Sequence, residues 1–405
     1  MARNRVIYQS EALYVSKNIG STDSGDHRQI QRVQSANYNF NIARQDVNQF
    51  GQLARIDALV LQTPTVALDF TYYPTDGFNE RALGFYVQTG SAAEGNFSSG
   101  QMGNSSGQNF YIVTTSEGLD LNVDSTVSGK SIIGLGNGFL TNYSFDASVG
   151  NLPTVSVSIE ALNVNSAPYT VYKTGASGIG GLTPLSGVGV PTPQINPTEG
   201  VALASGVSGI YKLINLPAPS ENTGVNVISA LRPGDIVIDF GDFGTTTAGS
   251  KPIANIAGDS SAIGSEGLHL QRATLQLPLR RTPIERLGSR FAFTRVVDFP
   301  IVASLNVSAI VNETVARNLA EMLDDSTERN ITLRIKNSKN TAEDAMRFTL
   351  KGARLTSESY SSSIGANKSV DLVFETQIGG PNDANHGIYL SGRGTGETDV
   401  YAWGY

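Results

Sequence analysis

Residues Leu140–Gly150, LTNYSFDASVG, and Leu355–Gly365, LTSESYSSSIG, are nearly the same eleven-residue line written twice, 215 positions apart. Both open with Leu-Thr, carry an aromatic at the sixth place and close on an aliphatic residue and Gly. The match continues downstream, where Val155, Val157, Ile159 and Glu160 fall on Val370, Leu372, Phe374 and Glu375 at the same offset. Apolar residues at every second position mark a strand with one face in a core. The Gly between the two alternating runs marks a turn. The pattern predicts a long hairpin in two copies, with its core side preserved.

A second block recurs upstream at an offset of 237. Tyr38, Phe40, Ile42, Arg44, Val47, Phe50 and Gly51 fall on Leu275, Leu277, Leu279, Arg281, Ile284, Leu287 and Gly288, and Leu68 and Phe70 on Leu305 and Val307. In the second copy TPIERLG (282–288) spells a one-turn helix, with Thr282 as N-cap, Pro283 in the first helical position, Glu285 closing a capping box and Gly288 at the end. QDVNQFG (45–51) is read as the same turn. The offsets differ by 22 residues, which the Gly/Ser-rich TGSAAEGNFSSGQMGNSSGQ (89–108) supplies as a loop peculiar to the first copy. A further helix is expected around Glu80–Phe85 in copy one. In copy two it is expected at Glu313–Leu323, where Val315, Leu319 and Leu323 recur at helical spacing behind Asn312.

The expected fold is therefore mainly β, with two tandem β-sandwich or barrel half-domains, each carrying a short flanking helix and a long hairpin. The divisions are an N-terminal arm (1–33), copy one (34–163), a Gly/Pro-rich insertion with short strands (164–270), copy two (271–378) and a C-terminal extension (379–405). The insertion holds 17 of the 43 Gly and 9 of the 16 Pro, so it is rich in turns. Its GDIVIDFG (234–241) still alternates Ile236, Ile238 and Phe240, which predicts a strand folded against the core.

Composition narrows the function. Hydrophobic residues are 40% and charged residues 16% of the chain, the balance of a globular protein. No apolar run approaches the roughly 20 residues of a membrane helix, and MARNRVIYQSEALYV lacks the apolar region of a secretory signal, so no membrane insertion is expected. Cys is absent, which excludes disulfides, thiolate metal sites and cysteine nucleophiles. The net charge of −7 opposes tight binding of nucleic acid but suits a conduit to which DNA does not adhere. Copy one carries 4 basic and 11 acidic residues and copy two 15 and 12, so side-by-side copies would set opposite signs against each other.

No catalytic, cofactor-binding or metal-ligating residue is assigned, and the chain is not expected to be an enzyme. His27, His269 and His386 are scattered and read as ordinary surface or loop residues. SGRGTG (391–396) and GIGG (178–181) share only glycine content with phosphate loops, and DFGDFG (239–244) is a turn after a strand. The acidic pairs Asp324-Asp325 and Glu343-Asp344 are expected in solvent.

The stretches QSANYNFNIARQDVNQFGQLARIDALVLQTPTVALDFTYYP (34–74) and RFTLKGARLTSESYSSSIGANKSVDLVFETQIGGPNDANHG (347–387) resemble the tail tube, or major tail, proteins of tailed bacteriophages. The resemblance spans residues 34–163 and 271–378. It implies half-domains that give strands to a continuous barrel around a lumen. Most such proteins use six single-domain subunits per ring; a minority carry two fused domains and close a pseudo-hexamer with three chains. The implied partners are further copies of the chain, the tape measure, tail terminator and baseplate proteins, and DNA in passage through the lumen. The implied place is the virion tail, assembled in the host cytoplasm. A non-polymerising baseplate or tail-completion ring protein, and a β-rich adhesin or decoration protein, are the alternative expectations.

Overall fold

The computed structural model describes residues 11–16, 27–61, 64–89, 96–102, 107–115, 121, 131–168, 170–174, 182–191, 193, 195–196, 201–202, 213–214, 230–240, 268–288, 291–292, 294–311, 328–337, 340–364, 367–380 and 383–392. The described chain is mainly β, as its alternation predicts. Its first part comprises β1 (Glu11–Ser16), β2 (His27–Ile30), β3 (Val33–Asn41), β4 (Arg44–Val47), β5 (Asp57–Val60) and β6 (Thr65–Tyr72). Then come helix α1 (Phe78–Ala82), β7 (Gln88–Thr89), α2 (Ser99–Met102), β8 (Gln108–Thr114), β9 (Ser131–Ser148), β10 (Thr154–Ala161) and β11 (Asn163–Pro168). The insertion holds β12 (Thr170–Thr174), β13 (Leu182–Pro191), β14 (Ile195–Asn196), β15 (Val201–Ala202), β16 (Leu213–Ile214) and β17 (Ile236–Asp239). The remainder is β18 (Leu268–Pro278), β19 (Arg281–Ile284), β20 (Thr294–Val297), β21 (Val302–Val311), β22 (Arg329–Asn337), β23 (Asn340–Ser361), β24 (Ser369–Gln377) and β25 (Gly387–Gly392).

Eight of these strands lie side by side in the order β3-β6-β10-β9-β18-β21-β24-β23, all antiparallel. Their core face carries the alternating apolar residues, among them Leu68, Phe70, Tyr143, Phe145, Val157, Leu275, Leu305, Leu372 and Phe374, all buried. A second layer covers that face. Strands β8, β1, β2 and β11 build on the first part of the 18-residue β9, and β22, β17 and β25 on the first part of the 22-residue β23. Each long strand thus serves both layers. Aromatic rings bridge the layers: Phe70 to Phe110 at 6.5 Å, Phe145 to Phe348 at 5.4 Å and Phe240 to Phe374 at 5.7 Å. Each such pair adds about 0.5–1.5 kcal/mol to the burial of its rings.

The two halves of the eight-stranded sheet correspond position by position. The offset of 237 carries β3, β4, β5 and β6 onto β18, β19, β20 and β21, and the offset of 215 carries the outer part of β9 and β10 onto that of β23 and β24. The irregularities repeat as well. A bulge at Gln34 in β3 falls on one at Gln271 in β18, and a bulge at Thr141 in β9 on one at Thr356 in β23. Gly51 and Gly288 share φ +85°, a left-handed conformation that favours glycine.

Several expectations are corrected. TPIERLG is not a helix: Arg281–Ile284 pairs with Thr294–Val297, and Thr282 Oγ1 donates to Asp298 Oδ1 at 2.7 Å instead of capping. QDVNQFG likewise starts as β4, paired with β5. Cross-strand pairing satisfies these backbone groups and overrides a capping signal worth only about 1 kcal/mol. The helix near residue 80 exists as Phe78–Ala82 and stops short of Phe85. The Gly/Ser-rich stretch 89–108 is more than a loop: its described residues contain α2, and its Phe97 is buried with its ring stacked 4.0 Å from that of Phe85. His27 is buried against Tyr111, 5.9 Å between ring centroids. Asp344 is clamped between Arg334 (3.1 Å) and Arg347 (2.7 Å) because β22 and β23 are neighbours. The helix at Glu313–Leu323 and the pair Asp324-Asp325 lie outside the described residues.

The described residues of the arm and the extension are structural parts of the sandwich. In β1, Leu13, Tyr14 and Val15 are buried in the outer layer, where β1 pairs with β8. β17 takes the corresponding place beside β22, so this strand of the insertion folds against the core as its alternation predicts. β25 pairs with β23 and, in parallel, with β7 of the first half.

One buried charge site titrates. Glu80 of α1 is fully buried and accepts hydrogen bonds at Oε1 from the Tyr72 (2.8 Å) and Tyr143 (3.1 Å) hydroxyls, while Oε2 has no partner among the described residues. Desolvation holds its carboxyl above the ordinary carboxylate range, against the lowering effect of the two hydroxyls. The unfolded chain gives up this proton at lower pH than the folded one. Stability from this site is therefore full below pH about 4.5 and falls as pH rises through the folded value. Glu80→Gln, which keeps the acceptor at Oε1, is expected to remove that loss. Thermal melts at pH 4 and pH 8 should show the variant gaining on the unaltered protein only at the higher pH.

Candidate assembly surfaces

The face of the eight-stranded sheet turned away from the core is mostly polar, with Val302, Ile310 and Val373 as apolar exceptions. One row crosses every strand, with Ser35, Thr71, Ser156, Ser144, Gln276, Ser304, Glu375 and Arg354 neighbouring each other in register. The same alternation that buries Leu and Phe forces these hydroxyl and amide residues onto the other side. Asp69, Asp146, Glu160, Asp371 and Glu375 on this face outnumber Arg272 and Arg354, and the eight strands bring no lysine to it. A surface with these groups offers phosphates no cluster of cations.

In mid-sheet, β9 of the first half meets β18 of the second. Arg272–Ser148, Ala273–Ala147, Thr274–Asp146, Leu275–Phe145, Gln276–Ser144, Leu277–Tyr143 and Pro278–Asn142 are the partners, and the Leu279 N–H donates to the Thr141 carbonyl at 2.8 Å. Asp146 accepts from Arg272 Nε and Thr274 Oγ1, both at 2.7 Å. Beyond the strands, Arg295 pairs with Glu160 at 3.0 Å, and the Arg281 guanidinium lies 4.7 Å from the Phe139 ring centre. Burial, reinforced by the neighbouring Arg295 charge, lowers the Arg281 pKa to about 10. Within the chain, the acidic first half and the basic second half meet here in two ion pairs.

The sheet ends on β3 at one side and on the outer part of β23 at the other. Among the described residues neither has a second partner strand there. Tyr38 (40% exposed), Phe40 (58%) and Tyr360 (47%) stand on these edges. Open edges with apolar side chains invite another strand.

The strand ends are apolar too. The β4–β5 arm carries Phe50 and Leu53, and the β19–β20 arm Leu287, all fully exposed. These arms join β3 to β6 and β18 to β21, at one end of the sheet. The β9–β10 turn, with Val149 and Leu152, and the β23–β24 turn, with Ile364, project from the opposite end, and all three residues are exposed. The arm residues were legible as a repeated pattern; their exposure was not, because the same apolar letters fit a core helix.

No catalytic arrangement is assembled from the histidines. His269 is on β18, and His386 bridges Asp383 (3.3 Å) and Glu328 (3.1 Å), with Glu328 also accepting from Arg354 at 2.9 Å. Backbone N–H donation, chiefly from Asn385, lowers the Asp383 pKa. This cluster fastens the loop before β25 to β23. Among the described residues no group of three or more His, Cys, Asp or Glu could hold a metal ion, and no helix is long and apolar enough to cross a membrane. Neither the protein-family models nor the curated proteins compared with the chain give a match.

Proposed function

We propose that the chain is a structural virion protein, a tail tube subunit of a tailed bacteriophage. Three copies close into a pseudo-hexameric ring, rings stack into a tube, and DNA passes through the lumen during ejection. The observation that carries this reading is the pairing of β9 with β18: the two open edges of the sheet, β23 and β3, are the counterparts of strands already joined in its middle. A head-to-tail contact of this kind generates a ring when the rotation closes, and closure abolishes the exposed edges. The repeated strand offsets and bulges support a duplicated half-domain, which makes three chains equivalent to six positions.

The polar sheet face then lines the lumen, where hydroxyls, amides and a slight acidic excess let DNA slide. The apolar arms and turns at the two ends of the sheet serve ring stacking. The remaining partners are the proteins that start and end the tube: tape measure, baseplate and tail terminator. Negative-stain microscopy of the purified chain tests the reading, with threefold rings or tubes expected. Monomers at every concentration and salt would sink it, and rings that never stack would move the chain to a baseplate or tail-completion ring.

A further inference from the structure

We propose that β3 of one chain pairs antiparallel with β23 of the next in the register of the internal β9–β18 junction, an inference that rests on the ring assembly above. The matching bulges fix the correspondence residue by residue, because a one-residue slip would displace them and reverse every side chain. Thr274 opposite Asp146 becomes Asn37 opposite Ser361, Leu275 opposite Phe145 becomes Tyr38 opposite Tyr360, and Gln276 opposite Ser144 becomes Asn39 opposite Ser359. The Leu279 N–H to Thr141 carbonyl bond becomes one from Ile42 to Thr356.

The chemistry of the two edges agrees with this register. Tyr38 and Tyr360, each about half exposed in the single chain, cover one another on the core side. On the polar side Asn37 and Asn39 meet Ser361 and Ser359, small neutral groups with no charge to bury. The ion pairs of the internal junction have no twin, since Ser35 and Ala58 stand where Arg272 and Arg295 do. Arg44 and Glu375, the counterparts of Arg281 and Glu160, are retained, and neither makes a side-chain hydrogen bond or ion pair among the described residues. At the internal junction these two positions do not pair with each other: Glu160 binds Arg295, and Arg281 lies over Phe139. The inter-chain seam is thus a neutral, aromatic version of the internal junction.

The absence of Cys makes the register directly measurable. In the full chain, Asn37→Cys with Ser361→Cys supplies the only thiols, placed as the side chains of Thr274 and Asp146 are, which touch at 2.7 Å. Mild oxidation of assembled protein is expected to link chains into covalent dimers and trimers on a non-reducing gel. It should do so roughly tenfold faster than Asn37→Cys with Ser359→Cys, because a two-residue displacement exceeds the separation of about 7 Å that a disulfide can span. Faster linking at Ser359, linking within one chain, or no linking in assemblies whose rings are visible by microscopy would overturn this register while leaving the ring intact. Absence of rings from the unaltered chain would overturn both.

Discussion

Lysine at both Tyr38 and Phe40 is expected to leave the chain folded but monomeric, at concentrations where the unaltered chain forms rings. Both residues lie on the open edge of β3 and are about half exposed, so their replacement changes the isolated chain by no more than about 0.5 kcal/mol. In the proposed ring the same positions are covered. Removing an aromatic from a covered edge forfeits roughly 1–3 kcal/mol per residue. An ammonium there must also be desolvated, and edge lysines are a common device against strand pairing. Two substitutions therefore weaken each seam by several kcal/mol, on the order of a thousandfold or more in its affinity. Sedimentation and thermal melts check this together. Rings that persist with an unchanged melting temperature would show that β3 is not the contact.

Serine at Phe50, Leu53 and Leu287 is expected to separate ring formation from tube growth. These side chains are fully exposed at the tips of two arms that leave the same end of the sheet. Their loss removes no packing within the chain, so the melting temperature should stay within about 2 °C. It also leaves the β3 and β23 edges untouched. Each buried apolar side chain contributes about 1.5–3 kcal/mol to a contact, and the proposed ring presents the set three times. Single rings in place of tubes are the expected image. Tubes of normal length would assign stacking to the turns at 149–152 and 364 alone. Loss of rings as well would show that the arms act laterally.

The strands were legible because burial on one face leaves a two-residue period, and that period needs no knowledge of partners. TVALDFTY and TVSVSIEA alternate without a break and are β6 and β10. The repeat was legible because Gly51 and Gly288, and the two Leu-Thr hairpins, stand at positions where backbone geometry restricts the choice. What failed was decided by distant residues. Thr282, Pro283 and Glu285 spell a helix start, yet Val296 and Arg295 across the turn claim the backbone of residues 282 and 283. Phe97 lies among Gly and Ser that read as a free loop, but Phe85, Tyr143 and Phe348 surround its ring. His27 and Asp344 looked like solvent residues, since neither Tyr111 nor Arg334 is near them in the chain. For the candidate assembly surfaces, the residues could be read and the faces could not: alternation marks two sides of a strand without naming them.

The pairing of β9 with β18 also has a consequence for how the protein is made. β9 ends at Ser148 and its partner begins at Leu268, with the whole insertion between them. At about 5–20 residues per second, a ribosome needs roughly 6–24 s to deliver the missing strand. During that interval the nascent chain exposes an edge built like the one proposed to recruit a neighbouring chain. β25, which fastens the two halves through β7, emerges later still. Synthesis on crowded polysomes should therefore favour mispaired chains, and weaker translation initiation, which spaces the ribosomes apart, should raise the yield of correctly closed protein.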